Sequence, residues 1–152
     1  MSEHRASVEW SRLEEDFTPS FSRDHAVAFG SGQSLALSAT AEYRGNAERV
    51  NPEELLVAAL ASCHMLTFLA LAARSGIVVD SYRDDASGVL ERNAEGKMSV
   101  TRVTLRPQVK FRAEPPPSAQ EQSALHEKAH RGCFIASSVK TEVSVELPIE
   151  SG

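Results

Sequence analysis

Apolar and polar positions fall into two periods along this chain. The stretch from Asn51 to Gly76, NPEELLVAALASCHMLTFLALAARSG, carries no charged residue between Leu55 and Ala73. It opens as a helix opens, with Asn51 able to cap, Pro52 at the first helical position and Glu54 placed for a capping box. It closes with Arg74 in the last turn and Gly76 placed to leave the helix. A helix apolar all round has to be buried by its own sheet, by a partner or by lipid.

The other segments alternate with the period of strands. Val8 and Trp10 alternate with polar neighbours until Thr18-Pro19-Ser20 breaks the run, so residues 1–20 read as an entry segment. His25 to Phe29 and Leu35 to Leu37 predict two short strands joined by the Gly-rich hairpin Gly30-Ser31-Gly32-Gln33. Ala41 to Val50 is polar and irregular. Ile77 to Val79, Tyr82, Val89 and Leu90 predict a strand or strand pair up to the turn Asn93-Ala94-Glu95-Gly96. From Met98 to Phe111 the pattern predicts one half-buried antiparallel strand carrying Val100, Val103, Leu105, Val109 and Phe111. A phase shift near Thr101-Arg102 marks a bulge. Pro115-Pro116-Pro117 ends it. Ser118 and Glu121 form a second capping box and start a polar helix through about His130, ended by Arg131-Gly132. Thr141 to Leu147 alternates as a last strand. The fold class this predicts is α+β, one domain over residues 1–152 with an antiparallel sheet covering the apolar helix.

Composition narrows the function classes. At 152 residues the chain can bury a single core, and 16 Lys and Arg against 21 Asp and Glu leave no clustered basic face for nucleic acid. The polar start MSEHRASVEWSRLEEDF has no export signal, which places the protein in the cytoplasm. Leu55 to Ala73 is about long enough to span a bilayer. Its alanines, its central His64 and its lack of an aromatic belt or basic flank argue against a membrane span. Two cysteines 70 positions apart are not a secreted disulfide framework. They are a free pair, a redox pair or core filler.

Three constellations carry candidate chemistry. His126-Glu127-Lys128-Ala129-His130 matches H-E-x-x-H, which on a helix puts two imidazoles on one face for zinc with Glu127 as general base. The competing reading is a solvated helix face that happens to hold two histidines. A hydrolytic triad has no nucleophile elbow to build on. His64 is also turned about 100° from Cys63 around the helix, so the two do not form a dyad. The third is redox. A thiol buried in an apolar helix is inert because burial disfavours the thiolate, so a reactive Cys63 needs a cation close by. Cys133, just past a helix C-terminus, sits where the dipole disfavours its thiolate. If the two cooperate, Cys63 attacks and Cys133 resolves.

From about Phe21 to Leu147 the chain resembles the OsmC/Ohr proteins, thiol-dependent hydroperoxide reductases. Asn51-Pro52-Glu53-Glu54-Leu55 followed by Ala61-Ser62-Cys63 resembles that family's N-P-E-x-L…S/A-x-C helix. Ala129-His130-Arg131-Gly132-Cys133 resembles its A-H-x-x-C segment, and Ser22-Arg23-Asp24 sits where the Ohr branch has its R-D dipeptide. The resemblance implies an OsmC-like fold, antiparallel sheets wrapped around a long buried central helix in an intertwined homodimer. It implies Cys63 as peroxidatic cysteine and Cys133 as resolving cysteine. Arg23 would lower the Cys63 pKa, and Glu53 would orient Arg23. It further implies organic hydroperoxide as substrate, an external dithiol, lipoyl-linked in the Ohr branch, as reductant, a role in oxidative-stress defence, and neither cofactor nor metal. H-E-x-x-H is then a coincidence. Two positions depart from the pattern. The family usually follows its second cysteine with proline, where this chain has Phe134, and His64 is not the Ohr norm and marks a divergent branch.

Geometry adds a consequence. Glu53 and Cys63 are ten residues apart, about 15 Å along one helix, and cannot meet within it. Two such helices antiparallel about a twofold axis bring Glu53 of one chain toward Cys63 of the other, which predicts a homodimer with two interfacial sites. Two other function classes stay open beside the peroxidase: a non-catalytic protein binding a small apolar ligand on the same fold, and the zinc enzyme of His126, Glu127 and His130.

Overall fold

The structure, a computed structural model, describes residues 1–149 and divides into two compact units, Met1–Leu55 and Leu56–Gly152. In the first unit β1 (Ala6–Glu9), β2 (His25–Phe29) and β3 (Ser34–Leu37) form an antiparallel sheet in the order β1-β2-β3. Val27 and Leu37 are its buried apolar side chains. Leu37 continues into a parallel bridge with Val50, and the Ser38 N–H donates to the Val50 carbonyl at 2.9 Å. The chain is thereby delivered to Asn51.

There the long helix α1 (Pro52–Arg74) begins. The Glu54 N–H donates to Asn51 Oδ1 at 2.9 Å and the Asn51 N–H to Glu54 Oε2 at 3.0 Å, a reciprocal cap that satisfies two otherwise orphan donors. At the other end the Ile77 N–H reaches the Ala72 carbonyl and the Gly76 N–H the Ala73 carbonyl. This is a Schellman closure, in which Gly76 takes φ +71° at no side-chain cost.

The second unit holds two small sheets and a second helix. β4 (Val79–Asp84) pairs with β7 (Pro107–Phe111), while β5 (Ser87–Arg92), β6 (Met98–Leu105) and β8 (Glu142–Val145) lie in the order β5-β6-β8. All pairs are antiparallel except β6 with β8, which is parallel. The single strand expected over Met98 to Phe111 is therefore two strands in different sheets. Pro107 has no N–H to continue a ladder, and the Arg106 N–H is drawn to Asp84 Oδ1 at 2.7 Å. The bulge falls where the phase shift put it: Val89 opposes Arg102 and Leu90 opposes Val100, leaving Thr101 over. Helix α2 (Ala119–Gly132) starts at the Ser118–Glu121 capping box and is capped at its end by Cys133.

Within this unit α1 buries a stripe at every fourth residue, Leu60, His64, Phe68 and Ala72, each at most 1% exposed. Leu60 packs with Val103 and Leu105 under the β5-β6-β8 sheet, and Phe68 and Ala72 pack with Leu125 and Ala129 of α2. Burying a side chain the size of Leu60 or Phe68 contributes about 1.5–3 kcal/mol. The expectation of a helix buried all round meets a difference here. One chain covers one stripe, because a helix lying on a sheet shows it only one face, and Leu66 on another face is 59% exposed. By length and composition alone α1 could cross a membrane.

Candidate functional site

Cys63 sits half-buried on α1, and Cys133 is buried as the cap of α2; both are free thiols. The two are neighbours. Burial pushes the Cys63 thiol up, but the Ile135 N–H, the Cys133 thiol, the Phe134 N–H and the Thr67 hydroxyl together hold it below its ordinary value. Cys133 is pushed the other way, by burial and then by Cys63, while the Ala136 N–H donates to its Sγ at 3.4 Å. The end of α2 lies close against the body of α1, since a Cβ on Gly132 would lie 3.1 Å from Thr67 Cγ2. This arrangement makes Cys63 the more readily deprotonated of the two thiols and Cys133 the less readily deprotonated one beside it.

Directly beside Cys63, His64 turns away from the thiols and toward α2. Its Nε2 lies 3.0 Å from His126 Nδ1, with the two rings only 3° from parallel. Phe68 stacks on the His126 ring, centroids 4.3 Å apart. Burial, then the nearby His130, drives the His64 pKa down to about 4. Burial, then His64, does the same for His126. Both imidazoles are therefore neutral at physiological pH, and one N–H is shared between them. His64 Nδ1, His130 Nδ1, Tyr82 Oη and Asp84 Oδ2 are buried without a hydrogen-bond partner.

His126 was expected on a solvated helix face and is instead 3% exposed. The reason is tertiary, since the Leu125-His126-Ala129 face of α2 packs on the His64-Phe68-Ala72 face of α1. His126 Nδ1 is engaged with His64, so a metal at the H-E-x-x-H segment could reach only the Nε2 of His126. Among the described residues no three His, Cys, Asp or Glu side chains gather to hold a metal ion.

In the first unit Arg23 and Glu53 line one hollow of about 410 Å³ with Trp10, Phe21, His25 and Tyr43. The Arg23 guanidinium lies 3.9 Å over the Phe21 ring and donates to the Phe21 and Pro19 carbonyls. The expected bond from Glu53 is not the one it makes here. Asp24, the neighbour that could have neutralised Arg23, pairs with Arg49 at 3.3 Å.

The sequence profile of the family described as OsmC-like protein matches residues 45–148. The chain belongs to this OsmC-like family. A solved OsmC-like protein of unknown function from Vibrio cholerae is 44% identical, with a TM-score of 0.91 over 97% of this chain and 100% of that one. The uncharacterized protein YmaD of Bacillus subtilis is 26% identical over 116 residues, 74% of this chain and 75% of that protein. An organic hydroperoxide resistance protein from Elizabethkingia anophelis shares the fold, with a TM-score of 0.74 at 17% identity over 97% of this chain and 94% of that one.

Of the residues this OsmC-like sequence singled out, the fold brings Cys63 to Cys133 and Arg23 to the hollow of Glu53. Reasoning from sequence missed His126 as the partner of His64. The available signal was that His64 falls in register with Leu60, Phe68 and Ala72, the only polar member of an apolar stripe. It also missed the Phe134 and Ile135 N–H groups, which side-chain identities do not reveal. A proline at 134, as the OsmC/Ohr pattern has it, would lack that N–H.

Proposed function

We propose that this OsmC-like protein is a cysteine-based peroxidase that reduces organic hydroperoxides to alcohols in oxidative-stress defence in the cytoplasm. The observation that carries the reading is the pair of adjacent thiols poised in opposite directions, Cys63 lowered and Cys133 raised. In the first step the Cys63 thiolate attacks the terminal peroxide oxygen. The O–O bond breaks, and the alkoxide takes a proton from solvent to leave as alcohol, giving Cys63 sulfenic acid. In the second, Cys133 loses its proton and attacks the sulfenic sulfur, forming a disulfide and releasing water. An external dithiol, lipoyl-linked in the reading carried over from the Ohr branch, returns both thiols at its own oxidation.

Arg23 and Glu53 enter this proposal as the cation that supports the thiolate and the carboxylate that orients it. Support for that role is the family resemblance together with their common hollow. The reading further takes residues 1–152 as one domain, which the profile match running from 45 to 148 across Leu55 supports. It takes the working form as a homodimer, supported by the uncharged Leu55–Ala73 surface of which one chain buries only a stripe.

The test is consumption of cumene or tert-butyl hydroperoxide by the purified protein with a dithiol present. Turnover in wild type that disappears in Cys63→Ser is expected. Equal consumption by both proteins would overturn the peroxidase reading and leave the fold as a small-ligand binder.

A further inference from the structure

Two links join α1 to α2 at adjacent positions, one between sulfurs and one between imidazoles. Cys63 meets Cys133, and one residue along α1 His64 meets His126, seven residues before Cys133 on α2. The imidazole link is built to be rigid. Both rings are buried, 1% and 3% exposed, so no water competes for the bond. His126 is held by His64 and by the stacked ring of Phe68. Gly132 lets the end of α2 lie so close to Thr67 that a Cβ there would crowd its methyl group at 3.1 Å. Breaking the bond would leave a further buried nitrogen unpaired where His64 Nδ1 already lacks a partner.

By contrast, the thiol side of the junction is soft. Cys133 caps the C-terminal end of α2, its N–H bonded to the His130 carbonyl at 3.3 Å, and the next turn, Ala136–Ser138, is a short 3-10 piece. A helix end carrying a nucleophile must be held, since a displacement of about 1 Å can cost about a hundredfold in rate.

We propose that His64 and His126 are positioning residues for disulfide closure, their buried hydrogen bond fixing α2 on α1 so that Cys133 stays within reach of oxidised Cys63. The inference rests on the peroxidase reading for the identity of the oxidant. The step it serves is the second: Cys133 gives up its proton and its thiolate attacks the Cys63 sulfenic sulfur, the S–S bond forms as the S–O bond breaks, and the departing hydroxide takes up that proton as water. Neither histidine touches the reacting sulfurs. They act through the placement of α2.

The experiment treats full-length reduced protein with one equivalent of cumene hydroperoxide. It follows sulfenic acid formation by dimedone trapping and disulfide closure by mass spectrometry without reductant. In His64→Leu the ratio of closure rate to sulfenic acid formation rate should fall at least tenfold, so the dimedone adduct on Cys63 accumulates. His64→Gln, whose amide reaches the place of Nε2, should recover most of that ratio. Should His64→Leu not fold, His126→Phe and His126→Asn make the same comparison, the second keeping a polar atom at the place of Nδ1.

A second arm needs no peroxide. The thiol–disulfide equilibrium of Cys63 with Cys133 in a glutathione buffer should shift at least tenfold toward the dithiol in His64→Leu and back in His64→Gln. Closure and equilibrium unchanged in the Leu variant, or impaired alike in Leu and Gln, would overturn the proposal. A wild type that forms no sulfenic acid but shows the equilibrium shift would overturn the peroxidase reading and leave the positioning role standing.

Discussion

His64 Nε2 lies 3.0 Å from His126 Nδ1, a hydrogen bond between two buried imidazoles whose residues are 62 positions apart in the chain. It ties the middle of α1 to the middle of α2, and both tied residues have a cysteine nearby on the same helix. A hydrogen bond of this kind typically contributes about 1 kcal/mol when made, and removing one partner costs about 1–3 kcal/mol because the other stays buried.

Protonation sets the first expectation. Both histidines are held near 4 in the folded protein, below the ordinary histidine value near 6.5. The unfolded chain therefore binds protons first as pH falls. Stability is fully present above about pH 6.5 and is lost between there and about pH 4, at up to about 1.4 kcal/mol per pH unit for each histidine. The groups facing the pair are His130 of α2 and Tyr82 of β4, with Asp84 two residues on from Tyr82. Burial pushes the Asp84 carboxyl above its ordinary range. Urea unfolding from pH 4 to 8 checks this, and a His64→Gln/His126→Asn double variant should flatten the slope.

The thiolate is the second. With main-chain N–H groups of Ile135 and Phe134 holding Cys63 below its ordinary pKa and burial holding Cys133 above it, iodoacetamide at pH 7 should modify Cys63 first. Phe134→Pro deletes one of those donors. Cys133 already has φ −76°, ψ 113°, near the extended region a residue before proline prefers, so the fold should persist. Alkylation of Cys63 should slow about threefold to tenfold, read by peptide mass spectrometry. An unchanged rate would remove Phe134 from the set of donors.

Arg23 supplies the third. If its guanidinium supports the Cys63 thiolate, Arg23→Ala raises the Cys63 pKa and slows alkylation at neutral pH with the far-ultraviolet spectrum unchanged. Because the guanidinium is held by the Pro19 and Phe21 carbonyls and the Phe21 ring, Arg23→Lys should fail to restore the rate: an ammonium on a narrower stem does not span both carbonyls. Full rescue by lysine would show that charge alone matters.

The exposed side of α1 provides the fourth. Leu66 is 59% exposed within one chain on a helix without a charge from Leu55 to Ala73. Leu66→Glu should shift the protein to a monomer by analytical ultracentrifugation at micromolar concentration. A wild type already monomeric there would sink the homodimer proposal.

Gly45 gives a test confined to the first unit. A Cβ at this position would overlap the Ala39 carbonyl oxygen, an overlap that only backbone movement can relieve. Gly45→Ala should cost about 3 kcal/mol or more, as overpacking against rigid backbone does, seen as a lower urea midpoint.

What the sequence determined by itself is what depends on neighbours along the chain. The ends of α1 were legible because Asn51, Glu54 and Gly76 act within one turn of the backbone groups they satisfy. The α2 capping box was legible for the same reason, and so was the bulge at Thr101, which the alternation itself betrays. The pairing of Cys63 with Cys133 came only as an implication of the resemblance to the OsmC/Ohr motifs, and that the two thiols lie side by side belongs to the tertiary structure. Tertiary structure decided the rest, because it depends on groups far apart in sequence. The Met98–Phe111 run is split between two sheets by a carboxylate from Asp84, about twenty residues upstream. Cys63 is lowered by main-chain N–H groups at 134 and 135, and an amide's orientation is not written in its side chain. His126, which by sequence sits on a polar helix, is buried because α1 lies across it and offers His64 as the one partner that satisfies a neutral imidazole there.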